Sequence, residues 1–276
     1  MFLPEKIYMI GSSGLLYQCA SLIKNAVPDI PQILLETGHT PSDIRRAEKH
    51  EAITGTKKEL MAILENEENS SILFSINNPY IIPEVIVNKN NFIMINLHHA
   101  LLPDHPGRNA EAWSIFDGDK EAGITWHKID SGTDSGNILI QKKVLIADDT
   151  TSISLLKQLN KLAVEALREL LPLDQLIKNH GIIQQIPAKR IVRLAKDIPE
   201  NGILSLEWDE AKISRFLRSM DYSVLNVLGK PRILVGDTLR NIESYKIFSS
   251  DKEISPDGYQ ILISKKTLQF LLNLSE

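Results

Sequence analysis

The stretch from Asn91 to Ile140 constrains this chain more than any other. It opens with NFIMIN, an apolar run of strand length that reads as a buried strand. That strand ends on a polar residue, Asn96, and His98 follows two positions on. An extended chain alternates faces, so Asn96 and His98 project to one side and His99 to the other. GITWHKID and GNILIQKKVLI read as two further strands. DSGTDSG between them, rich in Gly, Ser and Asp, is a turn that carries Asp134. Open α/β sheets carry out chemistry at polar groups on loops at strand ends. Asn96, His98 and Asp134 are therefore the candidate catalytic residues.

The flanking sequence repeats a strand and helix alternation. KIYMIG reads as a first strand, GSSG as a turn and LLYQCASLI as a helix. This order sets Ser12, Ser13 and Gly14 at a helix N-terminus, where free N–H groups suit a phosphate or carboxylate and simple capping is the alternative. PQILLET is a second strand. Pro41 opens a polar helix, SDIRRAEKHEA, and Thr56 to Glu59 form a capping box before LMAIL. SILFSI is the next strand, and NPYIIPEVIV turns into a short helix. TTSISLLKQLNKLAVEALRELL is the clearest helix, with Ile153, Leu156, Leu159, Val164, Leu167 and Leu170 as its apolar stripe. Pro187 and Pro199–Gly202 bracket a connector. Beyond it come one helix, DEAKISRFLRSM, and the strand-like runs ILSLEW, PRILVG, NIESYKIF, GYQILIS and TLQFLLNL.

Composition narrows the functional classes. At 276 residues, 43% hydrophobic and 24% charged, the chain suits a large domain with a smaller one. A net charge of −4 offers no general attraction to nucleic acid or an anionic membrane. The single cysteine, Cys19, excludes an intrachain disulfide and a cysteine-based zinc site, and reads as a small buried hydrophobe. His98, His99, Asp104 and His105 lack metal-ligand spacing, so no metal site is expected. His127, Trp113 and Trp126 read as structural residues. No apolar run reaches membrane-spanning length and no signal-peptide core is evident, so a cytoplasmic location is expected.

NLHHALLP, starting at Asn96, resembles the Asn-x-His-x-Ser-Leu-Leu-Pro signature of formyltransferases that use 10-formyltetrahydrofolate. TDSG, Thr133 to Gly136, resembles that family's second signature, and the intervening GRNAEAWSIFDGDKEAGITWHKID resembles the segment that joins them. Ala100 departs from the family's usual serine, and the first seventy residues or so match weakly. The resemblance implies an α/β fold: a Rossmann-like formyltransferase domain with a mostly parallel sheet over residues 1–180, then a small β-rich C-terminal domain over 200–276. It implies 10-formyltetrahydrofolate as co-substrate, contacted by Tyr80, Ile81, Ile82, Leu101, Asp130, Ser131, Gly132 and Thr133. It implies that the loop of Ser12, Ser13 and Gly14 holds an anionic group of the acceptor. Arg108, in the turn PGRN, is a candidate contact to an anionic substrate, with a plain surface arginine the alternative.

Formyl transfer is acyl transfer between nitrogens and passes through a tetrahedral oxyanion. Asn96 and His98 offer donors to that oxyanion, and Asp134 beside an imidazole can organise the proton transfers. The expected function is N-formyl transfer to the primary amine of a small acceptor. An amino-sugar nucleotide and an ornithine-type amine, free or carrier-bound, are both open. Formyltetrahydrofolate hydrolysis, methionyl-tRNA formylation and non-catalytic binding on the same fold are the alternatives. The expected partner is a small molecule, not a nucleic acid or a membrane, and the oligomeric state is open.

Overall fold

The computed structural model describes residues 2–275. The chain divides into two compact units. One consists of the chain through Pro106, Gly123–Lys143 and Leu159–Val192. The other consists of Gly107–Ala122, Val144–Gln158 and the chain from Arg193 on.

Seven strands form the larger sheet: β1 (Lys6–Gly11), β2 (Gln32–Glu36), β3 (Ile53–Thr54), β4 (Ser71–Ile76), β5 (Phe92–His98), β6 (Glu121–Lys128) and β7 (Ile138–Leu145). Their order is β3-β2-β1-β4-β5-β6-β7. Neighbours from β3 to β5 run parallel, whereas β6 is antiparallel to β5. Every residue of β4, SILFSI, is buried, as a strand inside a parallel sheet requires. The chain leaves β1 toward β2 on one side and returns to β4 on the other. This reversal is a topological switch point, and sheets of this kind hold ligands outside the strand ends at such a point.

The helices follow from local signals. α1 (Ser13–Ala26) buries Leu15, Leu16, Cys19, Ala20 and Ile23 on one stripe. Burial pushes the Cys19 thiol up to about 12, consistent with an inert core residue. α2 (Pro41–Lys49) and α3 (Lys57–Glu65) each begin on a capping box, Thr40 with Asp43 and Thr56 with Glu59. α4 (Glu84–Val87) is the short helix expected after β4. α5 (Ala110–Asp117) and β3 have no counterpart in the sequence reading. α5 is buried from Ala110 through Ile115, with the polar Glu111 and Ser114 included, so no amphipathic period marks it. α6 (Ser152–Leu170) is the clear helix, but its buried face is turned from the expected stripe. Leu155, Leu159, Ala163, Ala166, Leu167 and Leu170 are buried, while Ile153, Leu156 and Val164 are only half-buried. Small alanines set the close-packed face, which a count of large apolar residues overlooks. α7 (Leu173–Lys178) follows.

The smaller sheet holds β8 (Ile203–Leu204), β9 (Arg232–Val235), β10 (Thr238–Ser249), β11 (Gln260–Ser264) and β12 (Leu268–Leu274), in the order β11-β12-β10-β9-β8. Ile213, Phe216 and Leu217 of α8 (Glu210–Met220) share a core with Ile233, Phe270 and Leu272. ILSLEW is strand only over β8. Beyond it the chain turns, and Asp209 caps α8 by accepting from the Lys212 N–H (2.7 Å). The α/β class, the mostly parallel sheet and the small C-terminal sheet are those expected from the sequence.

Candidate active site

β5 remains extended through His98, so Asn96 and His98 share a face. His99 points away and meets Asn160 on α6 (Nε2 to Oδ1, 2.9 Å). β6 pairs with β5 in a register that sets His127 directly opposite Asn96. The loop after β6 returns over this face and brings the Asp134 carboxylate to all three side chains. Asp134 Oδ2 lies 3.6 Å from His98 Nδ1, and Oδ1 lies 3.5 Å from His127 Nε2. Asn96 Nδ2 lies 3.1 Å from His127 Nε2 and 3.4 Å from Asp134 Oδ1. His98 and His127 are buried.

The far nitrogens of both rings face backbone carbonyls. His98 Nε2 is 2.8 Å from the His105 carbonyl, and His127 Nδ1 is 2.8 Å from the Lys128 carbonyl. A carbonyl only accepts, so each of these nitrogens carries a proton. The hydrogen-bond network thereby assigns the tautomers. His98 Nδ1 and His127 Nε2, the nitrogens that face Asp134, are protonated only when their rings are cationic. When its ring is neutral, His127 Nε2 accepts from the Asn96 amide. The cluster can therefore take up and release protons beside an amide donor.

Several contacts fix the loops. Thr125 Oγ1 on β6 donates to the Ala100 carbonyl (2.6 Å) and accepts from the Leu102 N–H (3.1 Å), which holds the chain after His98. Asp130 Oδ1 accepts from the Gly132 N–H (3.1 Å) and the Ser135 hydroxyl (2.7 Å). A Cβ on Gly136 would lie 1.9 Å from the Lys128 carbonyl oxygen, so this turn requires glycine. Desolvation holds the Lys128 ammonium below the usual lysine range.

The remaining expected residues are placed as follows. Ser12, Ser13 and Gly14 follow β1, and Ser12 and Ser13 bond Asn77 after β4, beside the switch point. Ser12 Oγ donates to the Asn77 carbonyl (3.1 Å), and Asn77 Nδ2 donates to Ser13 Oγ (3.0 Å). Tyr80 OH bonds His39 Nε2 (3.0 Å). Ile81 is 76% exposed, whereas the Ile82 side chain lies in a core with Leu60, Met61 and Leu64. Leu101 is half-buried, and Ser131, Gly132 and Thr133 are exposed. Arg108 is exposed, and its N–H donates to the Arg193 carbonyl (2.9 Å). No group of three or more His, Cys, Asp or Glu among the described residues is arranged to hold a metal ion. The sequence reading gives His127 a structural role and misses its place in this cluster. That place depends on the β5–β6 register, for which the sequence carries no direct signal.

Residues 35–171 match the family model described as formyl transferase. A GDP-perosamine N-formyltransferase of Brucella melitensis biotype 1 is 34% identical over 142 residues, covering 49% of this chain and 53% of that protein. A methionyl-tRNA formyltransferase of Caldanaerobacter subterraneus is 36% identical over 91 residues, covering 33% of this chain and 29% of that one. The chain thus spans about half the length, or less, of these curated relatives. The fold is shared with an N-formyltransferase of Helicobacter canadensis solved with folinic acid and dTDP-3-aminofucose. That likeness has a TM-score of 0.74 at 16% identity and covers 99% of this chain and 100% of the other. No helix among the described residues is long and apolar enough to cross a membrane.

Proposed function

We propose that the chain transfers a formyl group from 10-formyltetrahydrofolate to the primary amine of a nucleotide-linked amino sugar. The observation that carries this reading is the Asp134 carboxylate held beside the His98 and His127 rings and the Asn96 amide. The relatives with sugar acceptors favour an amino sugar over an ornithine-type amine.

The amine nitrogen attacks the formyl carbon, and the carbonyl π pair moves onto oxygen. Asn96 has two N–H bonds. His127 takes one, and the other makes a long bond to Asp134 Oδ1 (Nδ2 to Oδ1, 3.4 Å) that the developing oxyanion can replace. Protonated His98 supplies a second donor. Asp134, directly or through a water, accepts the proton that the attacking amine loses. As the carbonyl reforms and the bond from the formyl carbon to the folate nitrogen breaks, Asp134, directly or through a water, passes that proton on to the leaving nitrogen. Exposed Ile81 and the Asp130–Thr133 turn suit a flat, partly apolar pterin. Ile82, with its side chain in the core, would contribute only backbone groups. Tyr80 and Leu101 complete the proposed folate contacts. Ser12, Ser13 and Gly14 suit an anionic group of the acceptor at the switch point.

In this reading, residues 1–180 carry the residues of the transfer step and 200–276 the β-rich part, and the reaction takes place in the cytoplasm. The test is steady-state formylation of amino-sugar nucleotides. Asn96→Ala and Asp134→Ala each lower kcat by about a hundredfold or more in folded protein. A folded Asp134→Ala protein with near wild-type turnover would sink the mechanism. Formate release that needs no amine would instead indicate a hydrolase.

A further inference from the structure

Asp134 has a left-handed backbone, with φ of +49°, in a turn whose residues Ser131, Gly132 and Thr133 are exposed. An L-residue with a Cβ seldom holds this conformation unless its surroundings impose it. Two side chains from the segment after α7 do so. Arg190 Nη1 donates to the Thr133 carbonyl (2.7 Å), and its Nη2 donates to the Asp134 carbonyl (2.7 Å). Gln184 Nε2 donates to the carbonyls of Asp134 (3.0 Å) and Gly136 (2.7 Å). The Thr133 carbonyl lies in the peptide plane before Asp134, and the Asp134 carbonyl in the plane after it. Holding both planes sets φ and ψ at Asp134, and so the direction of its Cα–Cβ bond.

The strap is itself anchored. Ile138 and Ile182 exchange backbone hydrogen bonds (2.8 Å each), and Asn137 Nδ2 donates to the His180 carbonyl (2.9 Å). Gln184 is buried. Its Oε1, and Nε of Arg190, are buried with no hydrogen-bond partner in the structure, so the amide and the guanidinium are each oriented toward the loop carbonyls. Two buried polar atoms left unsatisfied are a cost that the strap accepts in order to hold these bonds.

We propose that Arg190 and Gln184 are positioning residues that hold the Asp134 carboxylate against His98 and His127. The inference rests on the proposed role of Asp134, but the placement itself can be measured without turnover. Arg190→Met removes both bonds to the flanking peptide planes while keeping an unbranched apolar stem. Arg190→Lys retains a single ammonium that reaches one carbonyl well but cannot span two in a fork.

The readouts are steady-state kinetics and NMR titration of histidine ring nitrogens in the full chain. Asp134→Asn defines the shift in the His98 and His127 titrations when the carboxylate charge is removed. Arg190→Met should move both titrations in the same direction and lower kcat by about tenfold, with KM for 10-formyltetrahydrofolate changed less than about threefold. Arg190→Lys, the variant to use should Arg190→Met not fold, should shift them less. His98 and His127 titrations identical to wild type in both variants overturn the inference, whatever happens to turnover. A wild-type chain that transfers no formyl group would defeat the proposed function and leave the ring titrations to decide the placement.

Discussion

At the scale of single residues, the site depends on which imidazole nitrogens are already committed. His127 gives its Nδ1 proton to the Lys128 carbonyl and presents Nε2 to Asn96 and Asp134. It therefore orients the Asn96 amide as well as lining the site. His127→Phe keeps a ring in the buried position but removes the acceptor. It should lower kcat/KM by about tenfold or more, while a thermal melt shows a folded protein. Rates within twofold of wild type would make the ring a packing group only. Asn96, His98 and Asp134 were legible in the sequence because polar residues beside apolar strands stand out. His127 was not, because a histidine inside a strand has the same local pattern whether it packs or reacts.

At the scale of elements, β1 and β4 are tied at their starts by one buried carboxylate. Glu67, just before β4, accepts from Lys6 Nζ (2.8 Å), from the Tyr8 hydroxyl and from the Asn69 N–H (2.7 Å). Burial opposes its charge, but these three donors outweigh burial and hold the carboxyl at about 2. Its folded pKa lies below its unfolded one. The contribution to stability is thus complete above the unfolded value and is lost as pH falls toward about 2. Glu67→Gln should cost roughly 2 kcal/mol at neutral pH. The gap between the two proteins should narrow as pH falls below about 4.5. Denaturant unfolding at several pH values checks this, and a gap independent of pH would assign the role to packing. The elements themselves were legible where a local signal marks them: Pro41 at the start of α2, the capping box of α3 and the apolar period of α6. α5 and the two-residue β3 escaped because one buries its polar Glu111 and Ser114 with its apolar residues and the other is too short for any period.

At the scale of the whole molecule, 31 basic against 35 acidic residues leave little to offer a polyphosphate chain. Formylation of a small acceptor should therefore change less than about twofold across a salt series near physiological ionic strength. Efficient formylation of initiator Met-tRNA, lost steeply as salt rises, would overturn the choice of a small acceptor. The strand and helix alternation determined the α/β class, and local motifs determined the catalytic candidates, since period, caps and turn residues act over a few positions. Tertiary structure alone decided which strands are neighbours, and with that the pairing of His127 with Asn96. It also decided that Gln184 and Arg190, about fifty residues along the chain, hold the Asp134 loop. Strand register and side-chain bonds to backbone carbonyls join segments distant in the chain, and every carbonyl offers the same acceptor, so residue identity alone does not specify such a pairing.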